Sequence, residues 1–397
     1  MEPYQLEKLI KIRRTLHQNP ELGYLENETS TLVKKELERL GIPFESSIGT
    51  GIIATLSKGS GPRILLRADM DALPITEDTQ LSFSSKTNGV MHACGHDLHV
   101  TILLGTAQLL KERDYEGTVI FVFQPSEEGN SNDPFTTDNK EKKSGGQRIA
   151  ESGILSNVKT ALGLHVHPLL KTGSVAFCLD EALAATCFFT IDIIGKAGHA
   201  AFPHLTIDPV YIASKIILDS YSLISRYVDP SERKVLTFTD VSIGNKDHIL
   251  QNPENVISGF AKISGTIRAL NGDILKLIQE KLKLLIKGIE LSDSAEISIN
   301  YTLNYPSLKN DKKVHEKLMP VLKQIFSEER IIEEQPIMGG EDFAFYSQKT
   351  KSMFYFLGAN DGNNKFFLHH PKVVFDEKCI DYGVELLTSA AQALMKE

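Results

Sequence analysis

Thr118-Val-Ile-Phe-Val-Phe123 is a run of six apolar or β-branched residues that no charge or amide interrupts. A strand with one wet face alternates apolar and polar side chains, so an unbroken run belongs in a sheet covered on both faces. Covering both faces takes two layers of helices, which is an α/β architecture. Four other short runs read the same way: Gly51-Ile-Ile-Ala-Thr-Leu56, Arg63-Ile-Leu-Leu-Arg67, Ala161-Leu-Gly-Leu-His165 and Met353-Phe-Tyr-Phe-Leu357. Helical spacing occupies 6–18, 29–40, 98–110, 314–326 and 376–395. Gly41 ends the second of these as the expected C′ residue, and Asp97 stands where an N-cap would open the third.

The middle of the chain has a different rhythm. Strand patterns at 186–194, 234–243, 256–267 and 296–303 alternate with helices at 208–227 and 273–289, in the order β-α-β-β-α-β. That order is a ferredoxin-like sandwich, a unit that folds around its own core. The expected organisation is therefore a catalytic α/β domain with a mixed central sheet, built from residues 1–181 and 305–397 and interrupted by an inserted α+β domain at 182–304.

Function is legible where the strands of the first domain stop. In open α/β sheets, ligands gather at the carboxyl ends of the strands. The strand at 63–67 runs into Asp69 and Asp71; that at 118–123 into Glu127 and Glu128; that at 161–164 into His165; and that at 353–357, through a Gly/Asn loop, into His369 and His370. Met91-His-Ala-Cys-Gly-His-Asp-Leu-His-Val100 adds three histidines and one of the four cysteines. Imidazole, thiolate and carboxylate are the ligands of zinc-like cations, and their convergence at one sheet edge suits a two-metal hydrolytic centre. A helix N-terminus after Cys94 would lower the pKa of its thiol. Neighbouring side chains of an extended segment point apart, so one carboxylate of the Glu127-Glu128 pair can ligate while the other serves as a base.

Six motifs carry a resemblance that spans nearly the whole chain. They are Leu66-Arg-Ala-Asp-Met-Asp-Ala-Leu-Pro74, His92-Ala-Cys-Gly-His-Asp97, Gln124-Pro-Ser-Glu-Glu-Gly129, Gly163-Leu-His165, Gly195-Lys-Ala-Gly-His-Ala200 and Gly340-Glu-Asp-Phe343. In this order they resemble the aminoacylase/carboxypeptidase metallopeptidases, and within them the amidohydrolase subgroup of hippurate, auxin-conjugate and N-acetyl-diaminopimelate hydrolases. The resemblance implies two divalent metal ions (zinc, manganese, cobalt or nickel) and hydrolysis of an N-acyl amino acid. A dipeptidase or carboxypeptidase is the alternative within the same family. It also implies that the inserted domain is a lid through which a homodimer forms.

Carried over by motif, the implied metal ligands are Cys94, His96, Glu128, His165 and His369, with Glu127 as the base and Asp71 orienting a ligand. His199 would stabilise the oxyanion from the partner subunit. Asn255, Arg268 and Gly340 would contact substrate, the arginine as a carboxylate receptor. His167 and His370 are read as decoys, His92 and His99 as structural, and Asp69 and Asp97 as capping or backbone-bonding groups. Residues 130–144 look like an insertion relative to the family and read as a mobile surface loop beside the base, which either gates the pocket or alters specificity, or is a disordered segment with no part in the site.

Composition narrows the rest. The formal net charge is −8 with cations scattered, so nucleic acid is not an expected partner. No run of 18 apolar residues and no leader-like N-terminus is present, and four well-separated cysteines suit a reducing compartment. The expectation is a cytoplasmic enzyme away from membranes. One rival uses the same residues differently: Cys94 as a nucleophile beside a histidine.

Overall fold

The computed structural model describes residues 2–129, 131–138, 141–244 and 254–396. In chain order the first elements are α1 (Pro3–Gln18), α2 (Asn27–Leu40), β1 (Phe44–Ser46), β2 (Ile52–Lys58), β3 (Arg63–Asp69), α3 (His96–Glu112), β4 (Gly117–Gln124), α4 (Gly145–Glu151), β5 (Thr160–Lys171), β6 (Val175–Phe177) and β7 (Asp180–Leu183). The middle holds β8 (Ala185–Ile194), β9 (Gly198–His199), α5 (Pro209–Tyr227), β10 (Lys234–Ile243), β11 (Val256–Ile257), β12 (Phe260–Ala269), α6 (Gly272–Asp293) and β13 (Glu296–Tyr305). The last part holds β14 (Leu308–Asn310), α7 (Lys312–Ile325), β15 (Ile331–Glu333), α8 (Ala344–Ser347), β16 (Lys351–Asn360) and α9 (Cys379–Met395).

The chain divides into two compact units. The first comprises residues 1–182, 308–335 and 341–397; the second comprises 183–307 and 336–340. In the first, a mixed sheet runs in the order β1-β2-β4-β3-β5-β16-β6-β15. Its four central strands are mutually parallel, so β4, β3, β5 and β16 bring their carboxyl ends to one edge. Every residue of β4 is buried, as its unbroken apolar run requires. One face of the sheet packs through Leu66, Phe121, Leu164 and Tyr355 into a single core with α1, α2, α3, α7 and α9.

In the second unit β8, α5, β10, β12, α6 and β13 follow one another, and the antiparallel sheet runs β10-β12-β8-β13. This is the strand order of a ferredoxin-like sandwich. Ile191, Ile193, Ile263 and Ile267 of the sheet meet Ile212, Ile216, Ile278 and Leu282 of the helices in a separate core. The segment 336–340 joins this unit because Ala184 N–H donates to Gly339 O and Arg268 Nη1 donates to Met338 O, both at close range (3.0 and 2.9 Å).

Several local expectations need correcting. Helix α3 begins at His96, with Gly95 as its N-cap; Asp97 lies inside the first turn and is occupied elsewhere. Strand β5 does not stop near His165 but continues to Lys171 beside β16. The pattern at 256–267 is two strands, because the chain leaves the short β9–β11 ribbon before entering the main sheet. The described part of the 130–144 segment is anchored rather than loose. Buried Asp133 accepts from Lys143 N–H (2.8 Å) and pairs with Arg148 (2.6 Å), while Tyr24 donates to Lys143 O (2.9 Å).

Candidate metal centre

The site is assembled where the parallel strands end. Strand β3 delivers Asp69 at its last position, and Asp71 follows two residues on. Strand β4 ends at Gln124, and the chain turns through Ser126 before reaching Glu127 and Glu128. Cys94 precedes α3 and His96 is its first residue. The turn between them works only with glycine. Gly95 has φ +83°, and a Cβ there would stand 2.3 Å from Val166 Cγ2. Pairing between β3 and β5 stops at Arg67–Gly163, so the β5 backbone beyond it is released from the ladder. Val166 N–H uses that freedom to donate to His99 Nε2 at 2.9 Å.

Among the described residues, five sets of three donor atoms each lie within 4.8 Å of one another. Two of them share Cys94: one with His96 and His165, the other with Glu128 and His369. The hydrogen bonds of each ring decide which histidines have a nitrogen to offer. His96 Nδ1 faces Asp71 Oδ1 at 3.2 Å, and its buried Nε2 has no hydrogen-bond partner among the described residues. His165 Nδ1 bonds Val166 O at 2.8 Å, leaving Nε2 3.3 Å from Cys94 Sγ. His369 Nε2 lies 3.2 Å from Glu128 Oε1. His99 offers nothing: Nδ1 is held by Asp69 Oδ1 at 2.5 Å, and Nε2 accepts from Val166. A ring whose second nitrogen is fixed by a carboxylate or carbonyl is the usual state of a metal-ligating histidine. The residues present therefore fit a cation pair, and the orphaned His96 Nε2 is the observation that tests it.

The electrostatics agree. Burial opposes a charge on His96, yet Asp69, Asp71 and Glu128 hold its proton up to about pH 10. The surroundings thus favour positive charge at that position, proton or cation alike. Burial, with Glu128, Glu127 and Asp69 nearby, pushes the Cys94 thiol well above its ordinary value. This reverses the lowering expected from the helix terminus, because desolvation and three carboxylates outweigh one dipole. A neutral thiol beside a His165 ring whose pKa burial depresses is a poor thiolate–imidazolium pair, which weakens the nucleophile alternative.

Glu127 is buried, and burial with Glu341, Glu128 and Asp342 around it drives its pKa well above the carboxylate range. Its Oε1 accepts from Asp342 N–H at 3.3 Å. Asp71 spans two of these groups, meeting His96 Nδ1 with one oxygen and accepting Glu128 N–H with the other at 2.9 Å.

Sequence reasoning missed the layer beneath. Arg67, fully buried, bonds Asp69 (2.7 Å), Asp342 (2.6 Å) and Gln124 (3.0 Å), and lies 3.0 Å from Glu341. The carboxylates of Glu341 and Asp342, in the Gly340-Glu-Asp-Phe343 motif, belong to this arginine. The signal was the Arg67-x-Asp69 spacing, which on a strand puts both side chains on one face. Asp97, read as a cap, is buried against Arg13 Nε and His17 Nδ1, each at 2.8 Å.

His199, Asn255, Arg268 and Gly340 lie in the second unit. His199 pairs with Val256 across the β9–β11 ribbon, and Ala200 N–H donates to Asn255 O at 2.9 Å, so two residues far apart in sequence become neighbours. His199 Nδ1 accepts from Ala201 N–H at 3.1 Å, which leaves Nε2 as the donor. Arg268 is half-buried on Met338 O. A Cβ on Gly340 would meet Thr186 Cγ2 at 2.8 Å. His167 turns its Nδ1 to backbone N–H groups at 169 and 170, and His370 stacks on Phe366 with ring centroids 4.2 Å apart.

A mixed α/β sheet whose strand ends gather thiol, imidazole and carboxylate donors defines a metallohydrolase type of centre. A model of the peptidase family M20/M25/M40 matches residues 65–393, and the chain belongs to that family. It is 37% identical over 403 residues to IAA-amino acid hydrolase ILR1-like 2 of Arabidopsis thaliana, covering 100% of this chain and 87% of that protein. It is 33% identical over 394 residues to thermostable carboxypeptidase 2 of Saccharolobus solfataricus, covering 98% and 94%. Among solved structures, the YXEP protein of Bacillus subtilis, a dinuclear metal binding peptidase from the M20 family, superposes with a TM-score of 0.81 at 29% identity. That likeness covers 100% of this chain and 99% of that one.

Proposed function

We propose that this protein is a metal-dependent amidohydrolase that cleaves the amide bond of N-acyl amino acids, giving a carboxylate and a free amino acid. The observation that carries this is Cys94, one donor common to two sets, His96 with His165 and Glu128 with His369, beside the buried Glu127. Those five residues would hold two divalent cations, of zinc, manganese, cobalt or nickel. When bound, such ions acidify water and polarise a carbonyl. The relatives named for IAA-amino acids and for carboxypeptidase activity share one substrate end, an acyl–NH–CHR–carboxylate.

Glu127 takes the proton of the attacking water and returns it to the leaving nitrogen. Asp71 fixes the His96 ring and the Glu128 backbone, so the carboxylate beside the base stays in register. In the second unit, His199 donates to the oxyanion formed in the site of the other copy of the chain, Arg268 and Asn255 receive the substrate carboxylate, and Gly340 lets the backbone approach. That unit acts as the lid and joins two copies of the chain. The enzyme works in the cytoplasm.

The test is release of free amine from acetyl-, benzoyl- and longer-acyl amino acids and from dipeptides, with Mn, Zn, Co or Ni supplied. Expected is turnover of acylated amino acids that EDTA abolishes. Faster turnover of dipeptides would favour the peptidase alternative. Activity that survives chelation and disappears on thiol alkylation would overturn the metal assignment in favour of a Cys94 nucleophile.

A further inference from the structure

Glu26 lies 100 residues before Ser126 in sequence, is fully buried, and belongs to none of the candidate metal-donor sets among the described residues. It is the N-cap residue of α2, yet its side chain makes no capping bond. Instead, Oε1 accepts Ser126 N–H at 2.8 Å, and Oε2 accepts from the Thr50 hydroxyl. Ser126 is one of the few non-glycine residues with positive φ, +52°. Such a conformation is unfavourable for an L-residue and persists only where neighbours impose it.

Ser126 is the hinge between β4 and the base. Its carbonyl accepts Gly145 N–H at 3.0 Å, and its hydroxyl donates to Gly129 O. Two residues on, Glu128 N–H is held by Asp71 at 2.9 Å. The Glu127-Glu128 dipeptide is thus bracketed by backbone N–H groups, each taken by a buried carboxylate from a distant part of the chain. Without the first bracket, Ser126 relaxes toward the extended region that L-residues prefer, and the peptide plane before Glu127 rotates.

We infer that Glu26 is a positioning residue for the general base: by accepting Ser126 N–H it holds the left-handed turn that aims Glu127 into the site. This rests on Glu127 being the base, but the turn itself is measurable without turnover. Hydrogen exchange of the peptide spanning 122–130 should accelerate at the Ser126 amide in Glu26→Ala. In the metal-loaded enzyme, assayed on N-acetyl amino acids, Glu26→Ala should lower kcat about 10- to 100-fold with KM and bound metal little changed. Glu26→Gln keeps an acceptor oxygen and should recover most of that loss. Adding Ser126→Gly to Glu26→Ala should also recover at least several-fold, because glycine adopts the turn unaided. A residue that merely filled space would not be rescued by Ser126→Gly. Unchanged exchange at Ser126 in Glu26→Ala, or no rescue by Ser126→Gly, overturns the inference. Faster exchange with rescue of protection in Glu26→Gln, but no turnover by any form including wild type, would overturn the functional reading and leave the clamp standing. Should Glu26→Ala fail to fold, Glu26→Asp, whose shorter reach breaks the same bond, carries the same comparison.

Discussion

At the scale of single residues, separate positions carry chemistry, backbone geometry and acid stability. Replacing Glu127 by Gln keeps the volume and removes the base. Turnover should fall about 10²- to 10⁴-fold, the usual worth of a positioned acid–base group, while metal content measured by atomic emission stays at the wild-type level. Gly95→Ala is a backbone experiment. It places a Cβ 2.3 Å from Val166 Cγ2 at φ +83°, so strain and overpacking together should cost about 2–4 kcal/mol in denaturant unfolding. Glu77 carries a pH signature. Burial raises its pKa, but His17, Thr79 and Ser85 N–H outweigh that and bring it from 4.5 down to about 2. A depressed carboxylate stabilises the fold above its ordinary pKa and loses that contribution as pH falls through the folded value. Wild type should therefore lose stability between about pH 4.5 and 2, and Glu77→Gln should show a flatter profile over the same window in thermal melts.

At the scale of elements, the site depends on where strands stop. The end of β3 frees Val166 N–H for His99, and Arg67 ties that strand end to Glu341 and Asp342 ahead of α8. Removing one member of a buried ion network strands the rest, typically at 3–5 kcal/mol. Arg67→Met should lose about that much in chemical denaturation. It should also weaken metal binding by calorimetry, since Asp69 would lose its strongest partner and turn on His96. Most strands and helices were readable from periodicity alone, because burial on both faces or on one stripe leaves a direct imprint. The errors fell at boundaries. Asp97 looks like a cap by type, but its charge is needed against Arg13 and His17, and Gly95 takes the cap position through its left-handed backbone. Strand β5 ran past His165 because β16 continues to pair with it, which local composition does not encode.

At the scale of the whole molecule, two cores form from different residues, one around β3, β4, β5 and β16 and one around β8 and β12. Each is large enough to unfold as its own cooperative step. Among the described residues, every candidate metal donor lies in the first unit. Calorimetry should therefore show two transitions, and Zn or Mn should raise only that of the first unit. At a thousand times the dissociation constant the added stability is about 4 kcal/mol. EDTA should reverse it, and a single transition that metal leaves unmoved would count against the assignment. Among the described residues no helix is long and apolar enough to cross a membrane.

Two kinds of information are separable in this chain. Residue types, their order and their periodicity were enough to set the α/β class, the inserted α+β unit and the donor-rich strand ends, because those follow from burial and from which side chains bind cations. Which nitrogen of each histidine is available, why His99 offers none, and that Arg67 and Glu26 stand behind the visible ligands were decided only by folding. A hydrogen-bond partner dozens or hundreds of residues away leaves no trace in local spacing, yet it fixes the tautomer, the charge and the backbone angle on which such a site depends.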